Sequence, residues 1–229
     1  MFFFYYPWDL LILAAFGLSI WASFRVKGTF RKWSEVPTTY GLTGYEAARR
    51  MLDANGLHDV PIEPVRGALT DHYDPINRVV RLSEPVYYEN SISAVSVACH
   101  EVGHAIQHKE AYPMLVARHR MFPAVNFSSG IAPLLIIAGI IFQQFNFLLL
   151  VGIIFFSAAV LFQLVTLPVE FNASSRARSL MVAEGFITNE EETGVAKVLN
   201  AAALTYVAAA LISVLELLKY IAIFNSRNE

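Results

Sequence analysis

Four long apolar segments alternate with two polar stretches along the chain. The apolar segments cover residues 2–24, 121–142, 145–167 and 201–224. A bilayer core about 30 Å thick needs roughly 20 apolar residues in helical form, whereas buried helices of soluble cores are shorter. The pattern therefore predicts four transmembrane helices. The fourth is the weakest, because Glu216 and Lys219 interrupt it.

Basic residues place the two polar stretches on one side of the membrane. They directly follow the first and third apolar segments, as Arg25, Lys27, Arg31 and Lys32 and as Arg176 and Arg178. Because cytoplasmic loops carry an excess of lysine and arginine, residues 25–120 and 168–200 are predicted to be cytoplasmic. Residues 1–24 then form the first transmembrane helix, residues 121–167 a hairpin of two, and residues 201–229 the fourth with a short tail.

The longer polar stretch predicts a small region of helices and strands. Thr43 and Glu46 have the spacing of a capping box, and a short amphipathic helix follows as far as Asn55–Gly56. Residues 60–62 and 78–82 have the boundaries and alternation of strands. The second strand is interpreted either as a purely structural strand or as an edge strand that receives an extended peptide.

Composition agrees with a membrane protein and narrows the possible partners. Hydrophobic residues make up 55% of the chain and charged residues 16%, against roughly 25% charged in soluble domains. This excludes a disordered chain and argues against an ordinary soluble enzyme. With a net charge of −2 the expected partner is the lipid bilayer and not nucleic acid. The single cysteine, Cys99, excludes a disulfide framework within the chain and a cysteine-rich metal site.

The chemistry of the chain lies in a helix predicted from about residue 91 to residue 108. It contains the sequence His100-Glu101-Val102-Gly103-His104. Residues four apart share one helix face, so His100 and His104 can bind a single zinc ion. Glu101 lies beside that face, where it can take a proton from water as a general base. The predicted fold class is therefore mainly α: a polytopic membrane protein whose small cytoplasmic α+β region is zincin-like.

A catalytic zinc also needs a third protein ligand. His108 lies about 12 Å along the helix from His100, too far for ligands of one ion that are only about 3–4 Å apart. The metzincin pattern needs a histidine at position 110, which is Glu110. Three further histidines remain possible without a supporting pattern: His58, His72 and His119. Glu170 is the strongest candidate, because it follows Pro168, where a polar helix is predicted to begin on the cytoplasmic side.

Five stretches of the chain together match the pattern of one known family. They are Leu69–Tyr73, Val80–Ser83, Ala98–Gln107, Leu167–Phe171 and Ala201–Ala208. With them the chain resembles the YugP-like membrane zinc metallopeptidases, also called neutral zinc metallopeptidases, over nearly its whole length. The resemblance implies a membrane-bound peptidase in which His100, His104 and Glu170 hold one zinc ion. The family often has aspartate where this chain has Asn172, which leaves the ligand set intact but puts a supporting carboxylate at that position in question.

Together these features predict a membrane-embedded zinc endopeptidase of the plasma or inner membrane, with its active site on the cytoplasmic side. Zinc would activate a water molecule, Glu101 would act as the base, and the substrate would be a peptide or protein. Candidates for stabilising the oxyanion or contacting the substrate are His72, Tyr87, Tyr88 and Arg176.

Two other functions fit parts of the pattern. A catalytically inactive membrane scaffold or chaperone could carry a relic zinc motif, although a relic has no reason to retain Glu101. A transporter could use Glu216 and Lys219 as an intramembrane charge pair, but the sequence has no inverted repeat to support it. The sequence leaves the physiological substrate, the cleavage preference and the oligomeric state open.

Overall fold

The computed structural model describes residues 7–227 of the chain. Over this range the chain forms seven α-helices, one short 3-10 helix and three β-strands. The helices are α1 (Pro7–Ser34), α2 (Gly44–Ala54), α3 (Glu84–Tyr88), α4 (Ile92–Lys109), α5 (Pro113–Ile141), α6 (Asn146–Ala183) and α7 (Glu192–Asn225), and the 3-10 helix is Gln143–Phe145. The strands are β1 (Ile62–Val65), β2 (His72–Asp74) and β3 (Val79–Ser83).

The chain divides into two compact units. The apolar unit consists of Met1–Ala22, Val116–Leu167 and Thr205–Glu229, and the mixed unit consists of Ser23–Leu115 and Pro168–Leu204. The first unit contains most of the apolar segments predicted from the sequence. The second contains the sheet and the helix with the two histidines.

Within residues 7–227, four helices are long and apolar enough to cross a membrane, as the sequence predicts. They correspond to Trp8–Ser34, Pro113–Ile141, Gln143–Ala183 and Glu192–Asn225. Many of their large apolar side chains are exposed, as at Phe24, Phe127 and Ile154. Apolar surface of this extent is typical of a chain that lies in lipid. Residues 2–6 of the first predicted segment and residues 228–229 of the predicted tail lie outside the described residues.

The helix that contains the third apolar segment does not end at Pro168, contrary to the sequence prediction of a new helix there. No new helix begins there, because α6 continues through Pro168 to Ala183. A proline inside a helix removes one backbone hydrogen bond and often bends the helix, but it does not have to end it. Glu170 therefore lies in the interior of a long helix and not at the start of a new one.

The charge of Lys219 is balanced by a residue that the sequence interpretation did not consider. Its ammonium donates to the Asp9 carboxylate, so the ion pair joins α7 to α1 within the apolar unit. The pair considered from the sequence was Lys219 with Glu216, one turn earlier in the same helix. A charge in an apolar surrounding needs a close partner, and a different helix supplies it here.

The sheet of the mixed unit has the order β1-β3-β2. Strand β3 pairs in parallel with β1 and antiparallel with β2, so it is the central strand. The interpretation of residues 78–82 as an edge strand is therefore wrong. The burial of Val79, Val80 and Leu82 explains the error, since a central strand can show the same short apolar pattern as an edge strand.

The core of the mixed unit forms where α2 packs against α4. Thr43 and Glu46 form the predicted capping box at the start of α2, and Asn55 is its C-cap. The buried face of α2 includes Met51 and Leu52. Cys99 of α4 lies in the same core, where burial raises the pKa of its thiol, so it is a packing residue and not a nucleophile.

Gly103 sets the distance between α4 and α6. A methyl group added at its Cα would lie 2.7 Å from the backbone oxygen of Ala173. Backbone atoms cannot rotate away as a flexible side chain can, so a larger residue at this position would force the two helices apart. The helix tolerates the low helical propensity of glycine because this close approach requires it.

We expect Gly103→Ala to lower the thermal midpoint of the purified protein in detergent. Alanine is a better helix former than glycine by about 1 kcal/mol, but overpacking at a backbone contact costs about 1–3 kcal/mol. Gly130→Ala in α5 is the matched control, since an added Cβ there meets no described atom within 4 Å. Thermal unfolding of both variants checks this, and a midpoint for Gly103→Ala that equals or exceeds that of the control would contradict it.

Candidate metal centre

Helices α4 and α6 bring two imidazoles and one carboxylate together. Oε2 of Glu170 lies 3.4 Å from Nε2 of His100 and 3.6 Å from Nε2 of His104. The two imidazole rings stand nearly perpendicular, with centroids 4.8 Å apart. One ligand atom from each of these residues lies within 4.8 Å of the others. Glu170 is only 3% exposed, so its carboxylate is held deep between the helices.

These residues fit a zinc ion. Ligands about 2 Å from a tetrahedral zinc lie roughly 3.3 Å apart, which is close to the two nitrogen–oxygen distances. Two histidines and one carboxylate are also a donor set found in catalytic zinc sites, which leave a fourth position open. Because the cluster is largely buried, the fit does not depend on side chains that would have to fold in from solvent.

Gln107 fixes which nitrogen of His104 can bind a metal. The Gln107 side chain is fully buried, and its amide nitrogen donates to Val169 O at 2.8 Å and to Asn172 Oδ1 at 2.9 Å. Its oxygen is then left to accept, and it lies 3.0 Å from Nδ1 of His104. Nδ1 must therefore carry the proton, which leaves the lone pair of Nε2 directed at the cluster.

Asn172 connects this support to the edge of the mixed unit. Its Oδ1 also accepts from Nε of Arg176 at 2.7 Å. Arg176 in turn pairs with Glu110, with 2.6 Å between Nη1 and Oε2. The amide oxygen of Asn172 therefore accepts the two hydrogen bonds that an aspartate could accept, without a second negative charge beside Glu110.

His100 is oriented by a different residue. The hydroxyl of Ser174 lies 3.1 Å from Nδ1 of His100, one helical turn after Glu170 in α6. A serine hydroxyl can accept from Nδ1, and this again leaves Nε2 for a metal. Helix α6 therefore contributes both the Glu170 carboxylate and a hydrogen-bond partner for the imidazole of His100.

The electrostatics of the centre favour a cation. Burial on its own lowers the pKa of His104, but the hydrogen bond and the charge of Glu170 outweigh it, so the pKa is raised. Burial raises the pKa of Asp71, and the negative charge of Glu101 acts in the same direction against two hydrogen bonds from Ser83. The raised pKa of His104 reflects the negative charge of Glu170 beside it, which a metal ion would offset.

Glu101 lies outside the three-residue cluster. It is 8% exposed, and its Oε2 accepts a hydrogen bond from the backbone N–H of Tyr73 at 3.0 Å. Tyr73 belongs to β2, so the sheet and not α6 holds this carboxylate. The two acidic groups near the histidines are thus kept by different elements.

The structure places the other candidates of the sequence in different surroundings. Nδ1 of His72 bonds Thr70 O at an exposed position of β2. The Tyr87 ring contacts the rings of Tyr45 and Tyr88, at centroid distances of 4.9 and 4.7 Å. Arg176 is committed to Asn172 and Glu110 as described above. Oxyanion or substrate contacts for His72, Tyr87 and Arg176 remain predictions.

Sequence reasoning missed three supporting residues, namely Gln107, Ser174 and Tyr73. A signal existed for the first, since Gln107 follows His104 by three positions and so lies on a neighbouring part of the same helix face. Ser174 lies one turn after Glu170, a spacing that becomes informative only once both residues are known to be in α6. Nothing in the sequence connects Tyr73 to Glu101, because that contact needs the fold of the sheet.

The sequence has known relatives. Residues 8–225 match the family described as "Putative neutral zinc metallopeptidase". Over 220 residues the chain is 66% identical to the "Putative membrane protease YugP" of Bacillus subtilis (strain 168), an alignment that covers 96% of this chain and 97% of the relative. No solved structure matches the chain. Since the family match spans nearly all of the sequence and includes the whole His-His-Glu cluster, the chain belongs to the neutral zinc metallopeptidase family.

Proposed function

We propose that this protein is a membrane-embedded, zinc-dependent endopeptidase, with one zinc ion held by His100, His104 and Glu170. The observation that carries the proposal is the group of three ligand atoms at zinc-like separations, with a second carboxylate, Glu101, near His104. Family membership and the relative's printed name support the same reaction class. The retained Glu101 favours an active peptidase over an inactive scaffold.

The chain's own residues divide the reaction between them. Glu101 accepts a proton from the attacking water and passes it to the leaving amine. Gln107 and Ser174 keep both imidazoles in the tautomer that can hold a metal. When bound, zinc would acidify a water molecule and polarise the peptide carbonyl.

An extended substrate has two places to pair with the sheet. Strand β3 is bonded on both sides, so within the described sheet only β1 and β2 present an edge. Strand β2 is the nearer choice for the proposed reaction, because Tyr73 of β2 contacts Glu101. We propose that the peptide lies along β2 and donates a main-chain hydrogen bond to the outward carbonyl of Tyr73, since the N–H of that residue already donates to Glu101.

The transmembrane topology proposed from the sequence places the active site on the cytoplasmic side of the membrane. Residues 25–120 and 168–200 would be cytoplasmic, since basic residues follow the first and third apolar segments. The turn near residue 144 would then face outward. Substrates would be peptides or proteins that reach the membrane from the cytoplasm.

Glu101→Gln should abolish proteolysis and leave zinc bound. The amide cannot take the proton, and general-base catalysis is typically worth about 10²–10⁴-fold in rate. Cleavage of fluorescent casein together with metal analysis of the same samples checks this. Glu190→Gln, an exposed glutamate far along the chain, is the control and should behave as wild type. Near-normal activity in Glu101→Gln would reject the assigned base.

Glu170→Ala should weaken zinc binding by more than about 100-fold, beyond the 10–100-fold typical of a residue that only supports a ligand. Two imidazoles alone would remain. Competition with a chromophoric chelator measures the affinity, and Glu184→Ala, just after α6, is the matched control. Tight one-to-one zinc with full activity in Glu170→Ala would assign the third ligand to another residue.

Cysteine labelling in intact cells tests the side of the membrane. Ile76→Cys lies at a hairpin tip where the native side chain is 90% exposed, and Gln144→Cys lies in the exposed turn between α5 and α6. The buried native Cys99 gives little background. A membrane-impermeant maleimide should label Gln144→Cys at once and Ile76→Cys only after permeabilisation. The reverse pattern would invert the proposed orientation.

A further inference from the structure

Strand β2 directs one backbone N–H away from the sheet, at Tyr73. In the antiparallel pairing of β2 with β3, Tyr73 lies opposite Val80. The N–H of Val80 donates to Pro61 O on the other side of β3, so Tyr73 and Val80 form a non-hydrogen-bonded pair. The Tyr73 N–H therefore points outward from the edge of the described sheet.

That outward N–H donates to the carboxylate of Glu101, with 3.0 Å between N and Oε2. A glutamate side chain has three rotatable bonds and therefore many rotamers. The nearly buried side chain of Glu101 needs a contact that selects one of them. A backbone N–H in a strand cannot rotate, so it fixes the carboxylate more firmly than a flexible side chain would. The orientation of the Glu101 carboxylate is therefore set by β2.

Helix α4 holds Tyr73 at a second point. The Tyr73 hydroxyl lies 2.9 Å from Nδ1 of His108, and the two rings meet edge to face with centroids 5.8 Å apart. His108 follows Glu101 by about two helical turns, so both lie along one stripe of α4. The sequence excluded His108 as a third ligand of the ion, and in the structure its ring contacts the strand that holds Glu101.

We propose that Tyr73 is a positioning residue for the Glu101 base, acting through its backbone N–H, and that His108 keeps Tyr73 in place. The inference rests on the proposed function, since it assigns an orienting role toward the general base of that reaction. A purely structural role for β2 would predict that only the Tyr73 side chain matters. The two hypotheses differ in whether loss of the Tyr73 N–H lowers the rate of the reaction.

Comparison of Tyr73→Ala with Tyr73→Pro isolates the N–H. Both variants lose the ring and its contact with His108, but only proline loses the donor. Proline is tolerated on edge strands where the N–H points away from the ladder, as it does here. The full-length, zinc-loaded variants in detergent would be assayed for kcat and KM on a fluorogenic peptide, with zinc content and thermal midpoint measured alongside.

We expect Tyr73→Pro to have a kcat about 10–100-fold below that of Tyr73→Ala, because a displacement of about 1 Å at a reacting group can cost that much. KM and zinc content should be the same in both variants. Equal kcat values in two folded variants would overturn the proposal. A parallel rise in KM with loss of zinc in Tyr73→Pro would also overturn it, since it would show a general disturbance of the site.

Amide hydrogen exchange tests the contact without any assay of activity, and it serves if Tyr73→Pro does not fold. The Tyr73 amide should be protected in wild type and in Glu101→Gln, whose side-chain oxygen can still accept. It should exchange at least about 10-fold faster in Glu101→Ala, where the acceptor is gone. Equal exchange in the two Glu101 variants would overturn the proposal. Wild-type protein that exchanges as expected but cleaves no peptide would count against the proposed function alone.

Discussion

The mixed unit depends on the burial of one carboxylate. Glu170 is almost inaccessible to water, and a carboxylate in such a place is stable only beside protons or a cation. Its partners, His100 and His104, lie on another helix, so the two helices must approach to a fixed distance. Gly103 permits that approach, because it is the position at which α4 meets the backbone of α6. The distance between the two helices therefore determines both their packing and the geometry of the centre.

A series of hydrogen bonds and one ion pair extends from the centre to Glu110. Gln107 links His104 to Asn172, and Arg176 links Asn172 to Glu110. Every hydrogen bond described in this network joins a donor to an acceptor, and such a network favours a single arrangement of its side chains. The neutral amide at Asn172 leaves one cation facing one anion at Arg176 and Glu110. An aspartate there would add a negative charge close to a centre that already holds several.

Local patterns in the sequence predict the parts of this structure that depend on local physics. The capping box at Thr43, the apolar lengths of four helices and the one-turn spacing of His100 and His104 all follow from rules that act within a few residues. The position of β3 in the centre of the sheet could not be predicted, because strand order depends on contacts between distant segments. The same holds for the pairing of Lys219 with Asp9. Glu170 could be proposed from the predicted topology, with support from the family resemblance, but its distance to the two histidines depends on how α6 packs against α4.

Helix α4 shows why the remainder is hidden from sequence reasoning. Val95, Cys99, Val102 and Ile106 face the apolar core, the two histidines face α6, and Glu101 with His108 faces β2. A helix that is covered on nearly every side has no clear polar face, so its periodicity does not tell which neighbour lies where. Glu101 and His100 are adjacent in sequence but contact different elements: Tyr73 of β2 bonds Glu101, whereas Ser174 of α6 bonds His100. Separate supports allow the carboxylate of the proposed base to be oriented independently of the residues that would hold the metal.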